Sequence, residues 1–458
     1  MNTQVIAALR QALPPECLVT DADRMQAYRL DRAMFCAAGS PAVVVLARET
    51  AHVQTAVRVA AEHGVPVVPQ GARSGLSGAA NAIEGCIVLS VEKMDKVLEV
   101  DVANRVVVTQ PGVFNAVLSR AVAERGLFYP PDPASWEFSS IGGNLATGAG
   151  GLCCVKYGVT SDYVLGLEVV LASGEVLRTG RRTVKGVAGY DLTKLFVGSE
   201  GTLGVITEAT LMLRPAAETP LTVAAEFADT VAAARAISAI VSSGAVPSML
   251  EFMDRTMVRA VDDAFHIGVS PDCGALVLAQ CDTGARAADD LAQIAALLRK
   301  NGATDVAVAD DAQESELLLA ARRQVLTAME RLGTILVDDV CVPRDRLSDL
   351  VARVERISQH VGLVIGIVGH AGDGNFHPTV VFDPTETEEV QAAKQAFDAI
   401  MLAGLELGGT ITGEHGVGVL KKQLLEREAG PVSMRVHRGI KQALDPQGIL
   451  NPGKIFNA

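Results

Sequence analysis

The chain has 458 residues, of which 49% are hydrophobic and 20% are charged, so it is long enough for two or three domains with separate apolar cores. A formal charge of −13 without a Lys/Arg cluster argues against a nucleic-acid partner, because phosphate binding needs a basic surface. The sequence contains neither a secretory signal pattern nor an apolar run of the ~20 residues that a membrane helix needs, so we expect a cytoplasmic protein whose attachment to a membrane, if any, is through partners.

Short β-branched runs alternate with Ala-rich helical segments in the first part of the chain. Strands are predicted for residues 42–47, 65–69, 86–90 and 105–112, and a helix is predicted for residues 50–64. Strands that alternate with helices in this way indicate an α+β or α/β first domain.

The middle of the chain changes in composition. Residues 130–210 are dense in glycine and have few helix signals, so we expect much of the function there to reside in loops. Two prolines in LRPAAETPL (213–221) mark a boundary, after which amphipathic helices alternate with strands such as 275–282. The C-terminal residues predict a helix followed by a tail rich in Pro and Gly. We predict an α+β fold in three segments, 1–215, 216–407 and 408–458.

The eight cysteines include no C-x-x-C pair, so the sequence indicates neither a zinc ribbon nor an iron–sulfur cluster. Buried free thiols are expected instead. A vicinal disulfide between Cys153 and Cys154 would be strained and is not expected in a reducing cytosol.

One glycine-rich segment follows a predicted strand directly. In VPVVPQGARSGLSGAA (65–80), the small residues around Gly71, Gly75 and Gly78 let several backbone N–H groups face one concavity, which suits a pyrophosphate. The segment lacks the Gly-Lys-Ser/Thr end of a Walker loop and the G-x-G-x-x-G spacing of a Rossmann turn. By itself it indicates a tight surface turn as readily as an anion site.

Two further glycine-rich stretches favour a ligand. Residues 130–164 contain the runs SSIGGN and GAGG, and GSEGTLGVITEATL (198–211) leads into another strand. Three such loops in one domain indicate a close approach of backbone to an extended ligand.

In this order, the three loops resemble the flavin domain of the vanillyl-alcohol-oxidase/p-cresol-methylhydroxylase superfamily. From about residue 20 onward, the chain is similar to the branch that contains the flavin-binding D-type component of glycolate oxidase and the D-lactate and D-2-hydroxyglutarate dehydrogenases. The resemblance implies a two-subdomain FAD-binding domain over 1–215, an α+β substrate or cap domain over 216–407, and a segment, 408–458, that returns to the flavin site. The residues that it implies for FAD binding are Gly71, Ala72, Arg73, Ser74, Gly75, Leu76, Asp132, Ser135, Gly142, Gly143, Asn144, Gly150, Gly151, Glu200, Gly201, Gly204, Ile206 and Asn451.

The first loop departs from the commonest family pattern at Gln70, where arginine is frequent, and at Arg73, where glycine is frequent. Backbone donors are retained with either side chain, so FAD binding is still expected. The loop contains no histidine, which is the usual flavin-linking residue in covalently flavinylated relatives. We therefore expect FAD to be bound noncovalently.

Two histidines flank a turn in GHAGDGNFHP (369–378). A Gly-Asp-Gly-Asn turn between antiparallel strands would bring His370 and His377 to one site, as is typical of metal ligands. In GGTITGEHGVG (408–418), Glu414 can complete a His/His/Glu set that leaves coordination positions open for substrate. Whereas a lone histidine would indicate a structural role, the two motifs together predict a divalent metal site.

The resemblance implies roles for the same residues. In metal-dependent relatives the residues that match His370, His377 and Glu414 bind Zn²⁺ or a similar ion, and Mn²⁺ and Fe²⁺ are alternatives because N/O ligand sets accept several ions. His415 matches the catalytic base, and Arg322 matches an arginine that binds the substrate carboxylate. The implied reaction is oxidation of a small D-2-hydroxy acid, such as glycolate or D-lactate, to the 2-oxo acid, with hydride transferred to N5 of FAD.

Three alternatives stay open at this point. Leu326 and Val337 align with positions at which dicarboxylate-oxidising relatives have polar substrate-binding residues. Because apolar side chains cannot pair a second carboxylate, this difference favours a small substrate over D-2-hydroxyglutarate. A metallohydrolase would use the metal ligands but leave the glycine loops unexplained. The chain could also be a flavin-bearing subunit that is inactive without partners. In the implied reaction as well as in this alternative, electrons leave to a non-oxygen acceptor. The candidates are a second flavin-domain subunit, an iron–sulfur subunit, an electron-transfer flavoprotein and a quinone.

Overall fold

The computed structural model describes residues 2–183 and 185–457. They form two compact units, each described here by itself. The first unit contains the described residues of 1–150, 159–216 and 414–458, and the second contains residues 151–158 and 217–413. Both units contain helices and strands, and the predicted α+β class is confirmed.

Helices and strands are numbered along the chain. The helices are α1 (Asn2–Ala12), α2 (Ala22–Gln26), α3 (Thr50–His63), α4 (Asn115–Ala123), α5 (Ile141–Thr147), α6 (Cys154–Tyr157), α7 (Thr160–Tyr163), α8 (Leu192–Phe196), α9 (Thr230–Ser242), α10 (Arg255–Phe265), α11 (Ala287–Lys300), α12 (Ala312–Arg323), α13 (Val325–Glu330), α14 (Leu347–Val361), α15 (Thr387–Glu406) and α16 (Lys422–Leu444). The strands are β1 (Leu18–Val19), β2 (Val43–Leu46), β3 (Val67–Gln70), β4 (Ile87–Ser90), β5 (Val97–Asp101), β6 (Val106–Thr109), β7 (Leu127–Phe128), β8 (Val164–Val170), β9 (Val176–Gly180), β10 (Val205–Met212), β11 (Arg214–Pro215), β12 (Leu221–Phe227), β13 (Met249–Asp254), β14 (Ala275–Cys281), β15 (Ala303–Val308), β16 (Thr334–Val337), β17 (Val340–Cys341), β18 (Ile365–His370) and β19 (Asn375–Phe382).

Among these described helices, none combines the length and apolar composition that crossing a membrane requires.

The first unit is built on two main sheets. A four-stranded sheet has the order β1-β2-β4-β3, with β2, β4 and β3 parallel, and a five-stranded antiparallel sheet has the order β5-β6-β10-β8-β9. The predicted strands at 42–47, 65–69, 86–90 and 105–112 correspond to β2, β3, β4 and β6. Because β2 and β4 lie within a parallel sheet, both faces are buried, which explains why they consist of uninterrupted apolar residues.

Helix α3 covers this parallel sheet and confirms the helix predicted at 50–64. It ends at Gly64, whose φ of 62° is a left-handed conformation that glycine adopts without strain. Val53 and Val57 of the helix pack in one apolar core with Val45 of β2 and Leu89 of β4, and all four side chains have no exposed surface. Each such burial stabilises the fold by about 1.5–3 kcal/mol.

Residues 130–210 have few helix signals in the sequence, but one of the glycine runs begins a helix. SSIGGN contains the start of helix α5, because the hydroxyl of Ser140 accepts a hydrogen bond from the N–H of Gly143 and caps the helix. Three more short helices, α6, α7 and α8, lie in the same range. A capping serine therefore outweighs the low helix propensity of two glycines.

The described residues from Glu414 onward belong to the first unit. Helix α16 is interrupted by Gly430, with φ 75°, and by Pro431, which has no N–H to donate within the helix. The predicted tail follows Leu444. Asn451 N–H donates to the carbonyl of Val67 at 2.8 Å, and Leu450 forms a parallel bridge with Val67, so the tail lies along the strand that precedes the first glycine loop.

The second unit contains one large antiparallel sheet. Its strand order is β15-β12-β14-β13-β18-β19-β16, and β17 pairs with β19. The predicted strand at 275–282 is β14. Helices α9 and α11 confirm the prediction of amphipathic helices after residue 221. Strands β13 and β18 are neighbours near the middle of the sheet, and they carry Glu251 and His370 of the candidate site.

Asp254 connects β13 to helix α10 and to β18. Its carboxylate accepts hydrogen bonds from the N–H of Met257, which caps α10, and from the N–H of Ile367, both at 2.9 Å. Burial raises the pKa of Asp254 from 3.8 to about 7, although these backbone donors act in the opposite direction. The folded protein therefore binds a proton at Asp254 at pH values where the unfolded chain does not.

We predict that the stability contributed at Asp254 falls as the pH rises from about 4 to about 7. The folded state holds more protons than the unfolded state in this window, so the free energy of unfolding decreases by up to about 1.4 kcal/mol per pH unit. The test is the difference in unfolding free energy between the wild type and Asp254→Asn, measured by denaturant titration from pH 4 to pH 8. Asp229→Asn, at the exposed N-cap of α9, is the control for loss of a capping carboxylate. A difference for Asp254→Asn that is constant across the window would contradict the prediction.

Candidate functional site

The first glycine loop presents backbone donors without partners. The N–H groups of Arg73, Ser74, Gly75 and Leu76 donate no hydrogen bond to any residue that the structure describes. Arg73 has φ 58°, a left-handed conformation that favours glycine. Its guanidinium lies 4.5 Å from the ring centroid of Tyr28, a cation–π contact that helps to hold the strained residue.

Ser140 joins the first glycine loop to the second. Its Oγ accepts hydrogen bonds from the N–H of Ala72 at 3.1 Å and from the N–H of Gly143 at 3.4 Å. A Cβ added to Gly71 would lie 2.3 Å from the same Oγ, so only glycine permits this approach. The two loops are therefore fixed against each other by one hydroxyl group.

The third loop and the C-terminal tail lie against the same region. Glu200 N–H donates to the carbonyl of Ala146 at 2.8 Å, which ties the third loop to helix α5. The amide nitrogen of Asn451 donates to the carbonyls of Glu200 at 2.7 Å and Ala79 at 3.0 Å. The carboxylate of Glu200 accepts from the N–H groups of Val417 and Gly418, so it is engaged by the chain itself.

Buried polar atoms in this unit lack partners. Within the described residues, these atoms are Oε1 of Gln70, Oγ of Ser77, Nδ2 of Asn81, the hydroxyl of Tyr129, Oγ of Ser139, Nδ2 of Asn144, Oγ1 of Thr160 and Oδ1 of Asn451. An unsatisfied buried polar group costs about 1–3 kcal/mol, so such a set indicates a polar ligand or bound water. Together with the unpaired N–H groups of the first loop, this set fits FAD, whose phosphates and flavin ring offer hydrogen-bonding groups of both kinds.

The other residues predicted to bind FAD lie in both units, and some of them are required for packing within the protein. Asp132 and Ser135 lie in the loop before α5, and Gly150 lies in the same unit, whereas Gly151 belongs to the second unit. A Cβ added to Gly142 would lie 2.5 Å from Cβ of Pro111, and one added to Gly204 would lie 2.3 Å from Cγ1 of Val169. These last two glycines are thus needed for packing within the protein. Gly201, with φ 71°, precedes β10, which includes Ile206.

In the second unit, the predicted histidine hairpin is present. Strands β18 and β19 pair antiparallel around the Gly-Asp-Gly turn, and the rings of His370 and His377 lie with centroids 5.2 Å apart. Each side chain is more than nine-tenths buried, and a nitrogen of one ring lies within 4.8 Å of a nitrogen of the other. Two imidazoles at this separation can bind one metal ion.

Glu251 holds His370 in place. The two residues are directly opposite each other in the pairing of β13 with β18, and Nδ1 of His370 lies 2.7 Å from Oε1 of Glu251. Burial raises the pKa of Glu251, but the nearby His370 and Arg322 lower it by more than burial raises it. The pKa of Glu251 therefore lies below its ordinary value. An ionised carboxylate only accepts hydrogen bonds, so Nδ1 of His370 carries the proton in this contact, and Nε2 is the ring nitrogen through which His370 would bind a metal.

Arg322 lies on the other side of the same carboxylate. Its Nε donates to Oε2 of Glu251 at 2.7 Å, and its terminal Nη groups donate to no described residue. The side chain of Arg322 is 14% exposed, whereas that of Arg323 is 58% exposed and pairs with Glu316 at the surface. Arg322 is thus the arginine that can direct its Nη groups towards a ligand beside His370.

Acidic residues surround His377. Its Nδ1 lies 3.4 Å from the carbonyl of Asp338 and 4.0 Å from Oδ1 of Asp339. The other carboxylate oxygen of Asp339 accepts from Oγ1 of Thr412 at 2.6 Å and from the N–H of Gly413 at 2.9 Å. Asp339 therefore fixes the position of the chain that leads to Glu414.

Glu414 and His415 belong to the first unit and are described there. A Cβ added to Gly150 would lie 2.5 Å from Oε2 of Glu414, so the absence of a side chain at Gly150 permits a close approach of the carboxylate. His415 is partly buried. Beyond it, the chain is held at Val417 and Gly418 by the carboxylate of Glu200.

Sequence reasoning missed several residues that this geometry brings forward. Glu251 could have been noticed as an acidic residue inside the apolar strand MLEFMD, where an ionised side chain is costly unless it is paired. Ser140 has the signal of a helix N-cap. Asp338 and Asp339 occur as an adjacent pair after a strand, but nothing in their spacing indicates that they lie beside His377.

Comparison with family models divides the chain into two matching parts. Residues 41–180 match the model described as FAD binding domain, and residues 217–455 match the model described as FAD linked oxidases, C-terminal domain. The second match alone spans more than half of the chain. The first contains the first two glycine loops, and the second contains the histidine hairpin, Arg322 and Glu414.

Curated relatives are similar over nearly the whole chain. Glycolate oxidase subunit GlcD of Bacillus subtilis is 42% identical over 91% of this chain and 89% of the relative. Glycolate oxidase subunit GlcD of Escherichia coli K12 is 36% identical over 99% and 91%, respectively. A D-lactate dehydrogenase of Anaerostipes hadrus is 35% identical over 99% and 98%.

Solved structures show the same fold at low sequence identity. p-Cresol methylhydroxylase with substrate bound has a TM-score of 0.80 at 20% identity, covering 99% of this chain and 97% of that one. An alkyldihydroxyacetonephosphate synthase has a TM-score of 0.76 at 20% identity, covering 98% and 84%. With both domain models matched and relatives above 30% identity along almost its full length, the chain belongs to the FAD-linked oxidases, a family of flavin-dependent oxidoreductases.

Proposed function

We propose that this protein oxidises a small D-2-hydroxy acid, such as glycolate or D-lactate, to the 2-oxo acid, with noncovalently bound FAD and a divalent metal ion, Zn²⁺ in the first instance. The names of the relatives support this substrate class, since they are glycolate oxidase subunits and a D-lactate dehydrogenase. The single observation that carries the proposal is the carboxylate of Glu251, which links a proposed metal ligand, His370, to a proposed substrate-binding residue, Arg322.

The metal ligands are proposed to be His370, His377 and Glu414. Both histidines have Nδ1 directed at acceptors, which supports coordination through Nε2. Glu414 follows Gly413 directly in the chain, and Gly413 is fixed by Asp339, a neighbour of His377, which supports Glu414 as the third ligand. Imidazole and carboxylate ligands suit Zn²⁺ and also accept Mn²⁺ or Fe²⁺.

When bound, FAD supplies a hydride acceptor and the divalent ion supplies positive charge beside the substrate oxygens. Arg322 binds the substrate carboxylate through its Nη groups while Nε remains on Glu251, which orients the substrate. A ring nitrogen of His415 takes the hydroxyl proton as general base. Loss of this proton and of a hydride from Cα leaves the C=O bond of the 2-oxo acid.

The proposed FAD contacts lie in the first loop, from Gly71 to Leu76, and the N–H groups of Arg73 to Leu76 are the proposed donors. The proposed substrate size depends on two apolar residues. Leu326 lies on α13 and Val337 lies at the end of β16, and an apolar side chain cannot pair a second carboxylate. Reduced protein must pass its electrons on, and the word subunit in the names of two relatives supports a partner protein as the acceptor.

The function is tested by anaerobic bleaching of the flavin absorbance with glycolate, D-lactate and D-2-hydroxyglutarate, each with and without a chelator. We expect bleaching by the two small acids, loss of bleaching after metal removal, and a rate about 10²-fold lower in His415→Ala. Failure of every 2-hydroxy acid to bleach the flavin would refute the function. A strong preference for D-2-hydroxyglutarate would refute the small substrate, and an unchanged rate in His415→Ala would refute the assigned base.

Glu251→Gln is expected to lower metal affinity by about 10- to 100-fold, because an amide no longer holds the tautomer of His370. Metal content after dialysis against a graded chelator series measures the effect. The matched control is Glu316→Gln, which removes the neighbouring, exposed partner of Arg323 and should leave the metal content unchanged. Metal retention by Glu251→Gln equal to that of the control would contradict the orienting role.

Arg322→Gln is expected to lower kcat/KM for D-lactate by about 10- to 100-fold, since a charged hydrogen bond contributes about 1.5–3 kcal/mol. The loss should occur mainly in KM. Arg323→Gln is the matched control, and its exposed ion pair should change kcat/KM by less than about threefold. Equal kinetics in the two variants would show that Arg322 does not bind the substrate carboxylate.

A further inference from the structure

Residues 78–81, which follow the first glycine loop, have each carbonyl held by a side-chain donor. Nζ of Lys454 donates to the carbonyls of Gly78 and Asn81, both at 2.8 Å. Nδ2 of Asn451 donates to the carbonyl of Ala79 at 3.0 Å, and Nε2 of Gln70 donates to the carbonyl of Ala80 at 2.7 Å. Backbone carbonyls usually bond to other backbone groups, whereas among these four only that of Gly78 also accepts a backbone N–H, from Asn81 at 3.2 Å. Four consecutive carbonyls held by side chains form an unusual arrangement.

Two of the three donors come from the C-terminal tail. Lys454 is 4% exposed and Asn451 is 1% exposed, so both are enclosed by the first unit. Burying an ammonium group is costly unless its charge is compensated, and here two carbonyls accept hydrogen bonds from it. Carboxylates of Asp31 and Glu200 add favourable charge. The lysine therefore has a fixed position and can hold the loop with little freedom.

Fixing a carbonyl also fixes the direction of an N–H group. A peptide unit is planar and trans, so the carbonyl of one residue and the N–H of the next point in opposite directions. The carbonyl of Gly78 is directed towards Lys454, and the N–H of Ala79, in the same peptide unit, donates to no described residue. It lies in the same loop as the unpaired N–H groups of Arg73 to Leu76.

We propose that Lys454, assisted by Asn451, is a positioning residue for FAD: it closes the C-terminal tail on residues 78–81 and thereby holds the N–H groups of the preceding loop in the arrangement that binds the cofactor phosphates. This inference rests on the proposed FAD contacts of residues 71–76. It assigns to the tail a function in cofactor affinity, which a structural role in the apoprotein would not require.

A matched pair of buried lysines makes the inference testable. Lys441 is 8% exposed, and its Nζ donates to the carbonyls of Thr202 and Leu450, both at 2.7 Å, as well as to Asp445. It thus resembles Lys454 in burial and in its carbonyl acceptors, but its Nζ donates no hydrogen bond to residues 71–81. Lys454→Met and Lys441→Met should both lower the thermal stability of the apoprotein.

The experiment is a titration of each flavin-free variant with FAD and a competition of bound FAD by ADP, which shares the pyrophosphate. We expect the Kd for FAD and for ADP to rise at least tenfold in Lys454→Met and to stay within threefold of the wild type in Lys441→Met. Wild-type affinity in Lys454→Met would overturn the proposal, because the lysine would then have no influence on FAD binding. Equal losses of affinity in the two variants would also overturn it, because the cause would then be general destabilisation.

Lys454→Gln serves if Lys454→Met does not fold, since the amide keeps one donor. It should raise the Kd for FAD at least threefold relative to Lys441→Gln, and an equal Kd in these two variants would overturn the proposal. Failure of ADP to compete with FAD in the wild type would instead show that residues 71–76 do not bind the pyrophosphate. That result refutes the proposed FAD contacts and is separate from the comparison of the two lysines.

Discussion

A buried carboxylate, that of Glu251, fixes the candidate chemistry of the second unit. It has no exposed surface, and its two oxygens are each used by a different cationic or imidazole group. A charge in this position is tolerated only because it is paired, and removing one partner of a buried pair costs about 3–5 kcal/mol. His370 and Arg322 are consequently held in one arrangement, although they come from a strand and a helix that lie far apart in sequence.

The backbone pairing of the sheet places Glu251 beside His370. Glu251 and His370 are opposite residues in the antiparallel pairing of β13 with β18, so their side chains project from the same face. A shift of one residue in register would move either side chain to the other face. Asp254 helps to hold this register, because it accepts the N–H of Ile367 at the beginning of the histidine strand.

The histidine hairpin could be predicted because its signal is local. Two β-branched runs around Gly-Asp-Gly-Asn specify a turn, and the spacing then brings His370 and His377 together. Glu251 could not be predicted as their neighbour, since a contact across 119 residues depends on strand order. Arg322 and Arg323 are equivalent as sequence, and only the helix orientation separates the buried one from the exposed one.

The glycine loops show a different limit. Gly71 permits contact with Ser140, as expected for a loop that approaches other backbone closely, but Gly142 and Gly204 are required by packing against Pro111 and Val169. A glycine in a sequence can indicate that another group approaches the backbone closely, but it does not indicate whether that group is a ligand or another part of the protein. The helix-capping role of the Ser140 hydroxyl can be predicted from the sequence. Its second hydrogen bond, from the N–H of Ala72, cannot, because that contact depends on tertiary structure.

The first unit is assembled from both ends of the chain, with residues 414–458 closing on segments that are made some 200 or more residues earlier. During translation, the parallel sheet can form early, but its last contacts, from Leu450 and Asn451 to Val67, must wait until the second unit has been synthesised. Nascent chains would therefore hold an incomplete nucleotide-binding unit through most of elongation, and chaperones would meet it in that state.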